Sequence, residues 1–359
     1  MTQKETPLRL ALVGCADGID ALRNAAARLR GATFAAAIDS NADTARAMAE
    51  VAGASLVLTS FEEALALHQD AFDAVVVRTP LSERGATACR AADAGKHVLV
   101  EAPVGVSRAE TERVLEISRQ KATCAMVGGS LRFFPGYQTI LTRVSEGKLG
   151  TPGLLRVHRW SPSREPEADA GGDPEPGLAE AIAGDVELAI HIFGAQPTRV
   201  YAIERREVGT GAGVRPLPGY LQLHFGFPEG AMAVLDFATT LPSGRGYDSL
   251  HVIGSCGAAY ADDHHNTHLL YRGGDPRAQI SGQGNLHSAW ELQEFVDAVS
   301  EQRSPAVTIE QACVTHRVIE AVLQSLDSGV VLHLDGDVYR ASSKRASSDR
   351  TPNERAPDE

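Results

Sequence analysis

Short apolar runs alternate with amphipathic segments over the first part of the chain. The runs at 8–13 (LRLALV) and 72–77 (FDAVVV) have the length of strands, and the segments 20–31 and 107–121 carry apolar residues at helical spacing. Strand–helix alternation with short connections predicts right-handed βαβ units and a parallel sheet. Because the runs are apolar throughout, both faces of this sheet should be covered by helices. The pattern predicts an N-terminal Rossmann domain with a doubly wound sheet.

The pattern changes beyond residue 150, where strand-like runs follow one another without alternating helices. This order predicts a C-terminal α/β domain built on an open, mainly antiparallel sheet. Helices with an amphipathic pattern are predicted at 179–194, 288–302 and 309–329. The strand-like runs lie at 153–161, 198–208, 219–227, 231–240, 249–255 and 258–263.

The two patterns divide the chain into a dinucleotide-binding domain over 1–128 and a substrate and oligomerisation domain over 129–340. The late helices of the second domain are expected to pack back on the first. The polar segment 341–359 (ASSKRASSDRTPNERAPDE) has the composition of a disordered tail.

Charge and composition exclude some classes of protein. The chain has 359 residues with 34 Lys and Arg against 46 Asp and Glu, a net charge of −12, which disfavours a nucleic-acid partner. No apolar run approaches the ~20 residues that span a bilayer, and the N-terminus lacks the apolar region of a signal peptide, so a cytoplasmic location is expected. The five cysteines form no Cys-x-x-Cys pair, which predicts neither a disulfide framework nor a thiolate zinc site.

The turn after the first strand, VGCADGID, is a candidate phosphate-binding turn. A Gly-x-Gly-x-x-Gly fingerprint places a glycine where the backbone approaches a pyrophosphate closely. Only the first glycine of that pattern is kept, so an ordinary strand-to-helix turn remains an alternative. The candidate cofactor contacts in this turn are Gly14, Cys15, Ala16, Asp17, Gly18 and Ile19.

Asp39 closes the second predicted strand, at the distance where an acid takes the ribose 2′-hydroxyl of a dinucleotide. A carboxylate there repels a 2′-phosphate, and no arginine follows directly. NAD is therefore favoured over NADP as the cofactor. The alternative is that Asp39 only begins a turn with Ser40 and Asn41.

The order of motifs resembles the glucose–fructose oxidoreductase / inositol dehydrogenase (Gfo/Idh/MocA) family. The resemblance is carried by AADAGKHVLVEAPVG (91–105), GGSLRFFPGY (128–137), GKLGTPGLLRV (147–157) and GDVELAIHIFG (184–194). It implies a Rossmann domain, a second domain with a large open sheet, and homodimers or homotetramers packed through that sheet. It also implies NAD(P)-dependent oxidation or reduction of a sugar, a polyol or a related compound.

Two family positions on the cofactor side are altered. The resemblance implies cofactor contacts from Thr79, Pro80, Glu101 and Ala102. Where the family has a Glu-Lys-Pro lysine near nicotinamide and substrate, this chain has Ala102, which can neither donate a proton nor carry charge. In the same way, Arg84 stands at the place of a family histidine.

The resemblance places an acid–base pair on a predicted helix. The family's Asp-x-x-x-His is matched to Glu187 and His191, which share a helix face. His191 is expected to exchange the proton and Glu187 to orient its ring, while a helix histidine with an ordinary contact is the alternative. Arg132 and Tyr137 are expected to line the substrate region.

A metal site is not predicted. The segment 262–268 (DDHHNTH) could present Asp262, His264 and His268 on one strand face if it is extended, but a polar loop at a strand end explains it better. Two functions remain open: an oxidoreductase that uses His191, and a catalytically degenerate relative that binds NAD or a sugar and regulates.

Overall fold

A parallel sheet of six strands forms the first half of the computed structural model, in the order β3-β2-β1-β4-β5-β6. The structure describes residues 6–14, 19–162, 177–205, 218–241, 246–262, 267–271, 277–280, 286–335 and 338–341. The strands of this sheet are β1 (Leu8–Val13), β2 (Ala32–Ile38), β3 (Leu56–Leu58), β4 (Ala74–Val77), β5 (His97–Glu101) and β6 (Ala125–Gly128).

Helices cover this sheet, and short polar signals fix their ends. Helix α2 begins after Asn41, whose side chain accepts the backbone N–H groups of Asp43 and Thr44, and ends at Gly53 with φ 73°. All four residues of β4 are buried, as expected for a strand covered on both faces. The helices of this half are α1 (Ile19–Ala26), α2 (Ala42–Ala52), α3 (Phe61–Leu67), α4 (Leu81–Asp93) and α5 (Arg108–Lys121).

The second sheet has ten strands in the order β14-β13-β12-β11-β7-β10-β9-β8-β15-β16. Its pairings are antiparallel except that of β7 with β10, which is parallel. The strands are β7 (Pro152–Pro162), β8 (Arg199–Arg205), β9 (Tyr220–Gly226), β10 (Met232–Leu241), β11 (Tyr247–Gly254), β12 (Gly257–Asp262), β13 (Thr267–Tyr271), β14 (Arg277–Ile280), β15 (Leu332–Asp335) and β16 (Val338–Ala341).

Four further helices follow in the chain: α6 (Pro135–Ser145), α7 (Leu178–Phe193), α8 (His287–Ser300) and α9 (Ile309–Ser328). Helix α8 follows β14 of the second sheet in the chain, yet four of its buried apolar residues belong to the core of the first sheet. Helix α9 contributes to both cores, and Ala102 also contacts both. The segment around Ala102 therefore lies where the two hydrophobic cores meet.

This architecture confirms the predicted fold class, a Rossmann sheet followed by an open and mainly antiparallel sheet. The predicted tail beyond residue 341 lies outside the described residues. No helix in the described part of the chain is long and apolar enough to cross a membrane.

Candidate active site

The carboxyl ends of the parallel strands define one edge of the first sheet. Strand order reverses between β1 and β4, where Val13 pairs with Val77. Ligands of doubly wound sheets bind outside the strand ends at such a switch point. Further along the same edge, Glu101 at the end of β5 pairs with Gly128 at the end of β6.

Gly14 makes the switch point possible. It has φ +80°, and a Cβ built there would lie 2.5 Å from the carbonyl oxygen of Arg78. Its N–H donates to Ile38 O at 2.9 Å, so three neighbouring strand ends meet at this residue. Residues 15–18 of the candidate phosphate turn lie outside the described residues, and Ile19 begins α1.

Two further candidate cofactor residues lie on this edge. Thr79 is buried, and its hydroxyl has no hydrogen-bond partner within the described part of the chain. A buried hydroxyl without a partner at a switch point fits a ligand that supplies one. Asp39 is half-buried, and its Oδ1 accepts the Asn41 N–H at 2.9 Å. One of the two carboxylate oxygens of Asp39 therefore takes part in a turn with Asn41.

Arg84 fills the space beside the altered family position. Its side chain, which is 3% exposed, extends from α4 and donates to the carbonyl oxygens of Thr79 at 3.1 Å, Ala102 at 3.2 Å and Pro103 at 3.1 Å. It also donates to Glu180 Oε1 on α7 at 2.9 Å. One guanidinium thus connects the Rossmann edge to the first turn of α7.

Glu101 lies between two arginines at the end of β5. Its carboxylate is 3.8 Å from Arg78 Nε and 3.7 Å from Arg84 Nη2, and its side chain is 13% exposed. A nearly buried carboxylate requires such cations to offset its desolvation. Glu101 is thereby held at the edge where the candidate cofactor residues lie.

A cleft of about 340 Å³ opens between this edge and the second sheet. Gly129 forms part of its floor, and a Cβ built on Gly129 would lie 3.8 Å from Ala102 N, so the altered position borders the cleft. Helix α7 presents Glu180, Ala181, Gly184 and Asp185 to it. The other lining residues are Leu131, Arg159, Trp160, Ser161, Phe237 and Asp248.

A buried ion pair forms one wall of the cleft. Arg159 donates to Asp185 at 3.0 and 2.6 Å, with side-chain exposures of 15% and 3%. It also donates to the Tyr137 hydroxyl oxygen at 3.0 Å. Burial raises the pKa of Tyr137 to about 12, so this phenol stays protonated at neutral pH. The ion pair therefore fixes the shape of the wall.

The expected acid–base pair, Glu187 and His191, lies in the second half of α7. Glu187 accepts a hydrogen bond from Ser130 Oγ at 3.2 Å and another, charge-assisted one from Arg132. His191 is exposed, in the last turn of α7, and neither residue lines the cleft. Desolvation by surrounding protein atoms, followed by the Arg132 cation, lowers the pKa of His191 to about 4 although part of the side chain reaches solvent. The hydrogen bonds described for Glu187 thus come from Ser130 and Arg132.

The two expected substrate residues support neighbouring side chains. Arg132 donates to Ala306 O at 2.8 Å as well as to Glu187, which ties the start of the second domain to the loop before α9. Tyr137 lies behind Arg159. Neither is among the residues that line the cleft.

Several residues that line the cleft were not predicted from the sequence as substrate residues. Glu180 and Gly184 have the same four-residue spacing as Glu187 and His191, about two turns earlier on the same helix. The i, i+4, i+7, i+11 stripe of α7 was the available signal, since all four residues share one face. On the turns of α7 that face the cleft, the family's carboxylate-x-x-x-His spacing falls on Glu180 and Gly184. Gly184 supplies no imidazole.

Comparison with known proteins identifies the class. Residues 8–129 match the model of an oxidoreductase family with an NAD-binding Rossmann fold, GFO_IDH_MocA. This match over the first domain agrees with the resemblance to the Gfo/Idh/MocA family found in the motifs.

Relatives and solved structures extend the similarity beyond the first domain. The chain is 26% identical to scyllo-inositol 2-dehydrogenase (NAD(+)) of Bacillus subtilis, over 75% of this chain and 80% of that enzyme. It is 27% identical to D-xylose 1-dehydrogenase (NADP(+)) 2 of Haloferax volcanii, over 84% and 92%. An oxidoreductase domain protein from Kribbella flavida has the same fold, with a TM-score of 0.79 at 22% identity, over 92% and 100%.

Proposed function

We propose that the protein is an NAD(P)-dependent oxidoreductase that acts on a CH–OH group of a sugar, a polyol or a related compound. The observation that carries this proposal is the position of the cleft. It borders the carboxyl edge of the Rossmann sheet at Ala102 and Gly129 and faces α7 on its other side. A substrate in the cleft would therefore meet a dinucleotide that follows the strand ends.

The cofactor residues follow from that edge. Gly14 and the turn at 15–19 would hold the phosphates, and Thr79, Pro80, Glu101 and Ala102 would border the nicotinamide half. The unpartnered Thr79 hydroxyl and the close approach at Gly14 fit such a ligand. When bound, the cofactor supplies hydride acceptance and donation. The chain's own residues bind, orient and exchange the proton.

The cleft chemistry favours a hydroxylated, uncharged substrate. The carboxylates Glu180 and Asp248 offer acceptors for hydroxyl groups, and the Trp160 indole offers an apolar surface for the face of a sugar ring. The cation in the lining, Arg159, is already paired with Asp185. An anionic substrate would meet more negative charge than positive charge here.

Cofactor preference depends on Asp39 in this proposal. Replacing Asp39 with serine removes the charge that repels a 2′-phosphate and weakens the bond to the ribose. We expect NADH to bind about 10-fold more weakly and NADPH to bind more tightly, by analogy with a lost charge-assisted hydrogen bond of ~1.5 kcal/mol. Titration of both nucleotides by fluorescence measures this. An unchanged NADH to NADPH affinity ratio would leave Asp39 with only its turn role.

The activity itself is tested with NAD⁺ and a panel of cyclitols, aldoses and alditols, followed at the absorbance of NADH. Saturable reduction of NAD⁺ with at least one panel member supports the oxidoreductase. A second candidate function, a nucleotide- or sugar-binding protein without turnover, is favoured by Ala102 and by the glycine at position 184. Tight NADH binding with no turnover, together with activity gained in Ala102→Lys, would select that second function.

Assembly and location complete the proposal. Ile203, Tyr220 and Met232 are 51%, 49% and 50% exposed on one face of β8, β9 and β10, opposite the core. Exposed apolar side chains on a sheet face favour a protein interface. We propose a homodimer or homotetramer through this sheet. A cytoplasmic location and a proton-transfer role of His191 stay predictions.

A further inference from the structure

A guanidinium from another helix lies against the backbone at the altered lysine position. Arg84 lies against Ala102 and Pro103 through two hydrogen bonds and reaches Glu180 with a third. Its guanidinium is always protonated in proteins, so it can stabilise negative charge but cannot exchange a proton. If the site oxidises an alcohol, a different group must take the hydroxyl proton.

Three carboxylates lie in or beside the cleft with defined partners, and their surroundings differ. Asp185 gives both oxygens to Arg159 and is almost fully buried. Glu101 has an arginine near each oxygen and does not line the cleft. Glu180 lines the cleft, is 28% exposed, and bonds through Oε1 to Arg84. Among the described contacts of Glu180, its second oxygen has none.

Glu180 also has a route for the proton. It belongs to the first turn of α7. Its exposed fraction gives the carboxyl group access to water. One turn further along α7, Gly184 has no side chain. A Cβ built on Gly184 would lie 3.3 Å from Leu131.

We propose that Glu180 is the acid–base residue of this site and that Arg84 is the residue that positions it. This inference rests on the proposed function. In the oxidation direction, the carbinol C–H bond breaks and its electron pair leaves as hydride to the oxidised nicotinamide cofactor, which is reduced. The hydroxyl O–H bond also breaks, its proton passes to Glu180 Oε2, and its electron pair forms the C=O bond. Glu180 then returns the proton to water.

The kinetic test compares Glu180→Gln with a matched control. Glutamine keeps the shape and an acceptor for Arg84 but cannot take up a proton. We expect kcat to fall at least ~100-fold, while the NADH dissociation constant stays within about threefold of wild type. Glu62→Gln is the control, since Glu62 is also a first-turn glutamate paired with an α4 arginine, Arg90, on the surface. We expect its kcat and NADH affinity to stay within about twofold of wild type.

Arg84 is tested in the nucleotide-free chain and in turnover. Arg84→Lys and Glu180→Ala are each expected to lower the midpoint of thermal unfolding by ~2–4 °C. Together they should lower it by less than the sum, because both remove the same contact. Arg84→Lys should also lower kcat with little change in NADH affinity. Additive shifts, or an unchanged kcat in Arg84→Lys, would overturn the positioning role.

The two proposals fail in different ways. If wild type turns over a panel substrate and Glu180→Gln keeps its kcat within about threefold, the acid–base role is overturned and the oxidoreductase stands. If wild type binds NADH and turns over no panel substrate, the oxidoreductase is overturned and the acid–base role with it.

Discussion

Gly14→Ala is expected to abolish measurable NADH binding and to destabilise the fold by ~3 kcal/mol. The residue has φ +80°, and the new methyl group would lie 2.5 Å from the Arg78 carbonyl oxygen and 2.7 Å from its carbon. Those atoms belong to the backbone at the end of β4, so relief requires separation of the strand ends that form the switch point. Thermal unfolding and NADH fluorescence titration measure the two effects.

Gly53→Ala is the matched control for Gly14→Ala. Gly53 has φ +73°, and nothing lies within 4 Å of a Cβ built there. It therefore carries the cost of left-handed backbone alone, about 1 kcal/mol, without the backbone clash. NADH binding should be unchanged in this variant. Equal destabilisation of the two variants would show that the close approach at Gly14 has no energetic weight.

Arg159→Met is expected to destabilise the protein by ~3–5 kcal/mol. The substitution leaves Asp185 buried without its two charged hydrogen bonds, and Tyr137 loses a donor as well. Because the pair forms a wall of the cleft, substrate affinity should fall with stability. Denaturant unfolding measures the first effect, and KM for a panel substrate measures the second.

Two comparisons separate the buried charge from general packing loss. Arg119→Met removes an exposed pair with Glu310, whose side chains are 65% and 48% exposed, and should cost at most ~1 kcal/mol. The double variant Arg159→Met with Asp185→Leu should be more stable than Arg159→Met alone, because no buried carboxylate is left unpaired. A double variant less stable than the single one would contradict this account of the wall.

The sequence predicted the fold well because the signals for it are local. Apolar runs without alternation marked β1 and β4 as strands covered on both faces. These local signals could not predict the strand order of the second sheet. Its parallel β7–β10 pair joins residues far apart in the chain, and pairing of that kind depends on the whole sheet.

The candidate site was predicted less well, and α7 shows why. Helical spacing placed Glu187 and His191 on the stripe of α7 that also carries Glu180 and Gly184. Spacing cannot identify the turn that borders the cleft, because Glu180 and Glu187 differ by seven residues, about 10 Å along the axis, but hardly in direction. Only tertiary contacts distinguish them: Glu187 is covered by Ser130 and Arg132, and Glu180 lines the cleft.

Arg84 illustrates a second limit. In the sequence, Arg84 stood at the position of a family histidine, and Ala102 stood at the position of the family lysine. The two residues are 18 positions apart, and the contact between them depends on how α4 packs against the end of β5. A buried arginine needs acceptors wherever the fold can supply them, which here are three carbonyl oxygens and a carboxylate of α7.

The most direct test of a cofactor site along the carboxyl edge is a calorimetric titration of the unmodified chain with NADH. The account predicts saturable binding of one NADH per chain, and lower affinity for NADPH. Absence of binding of both nucleotides at millimolar concentration, by a chain that is folded in the same buffer, would contradict it.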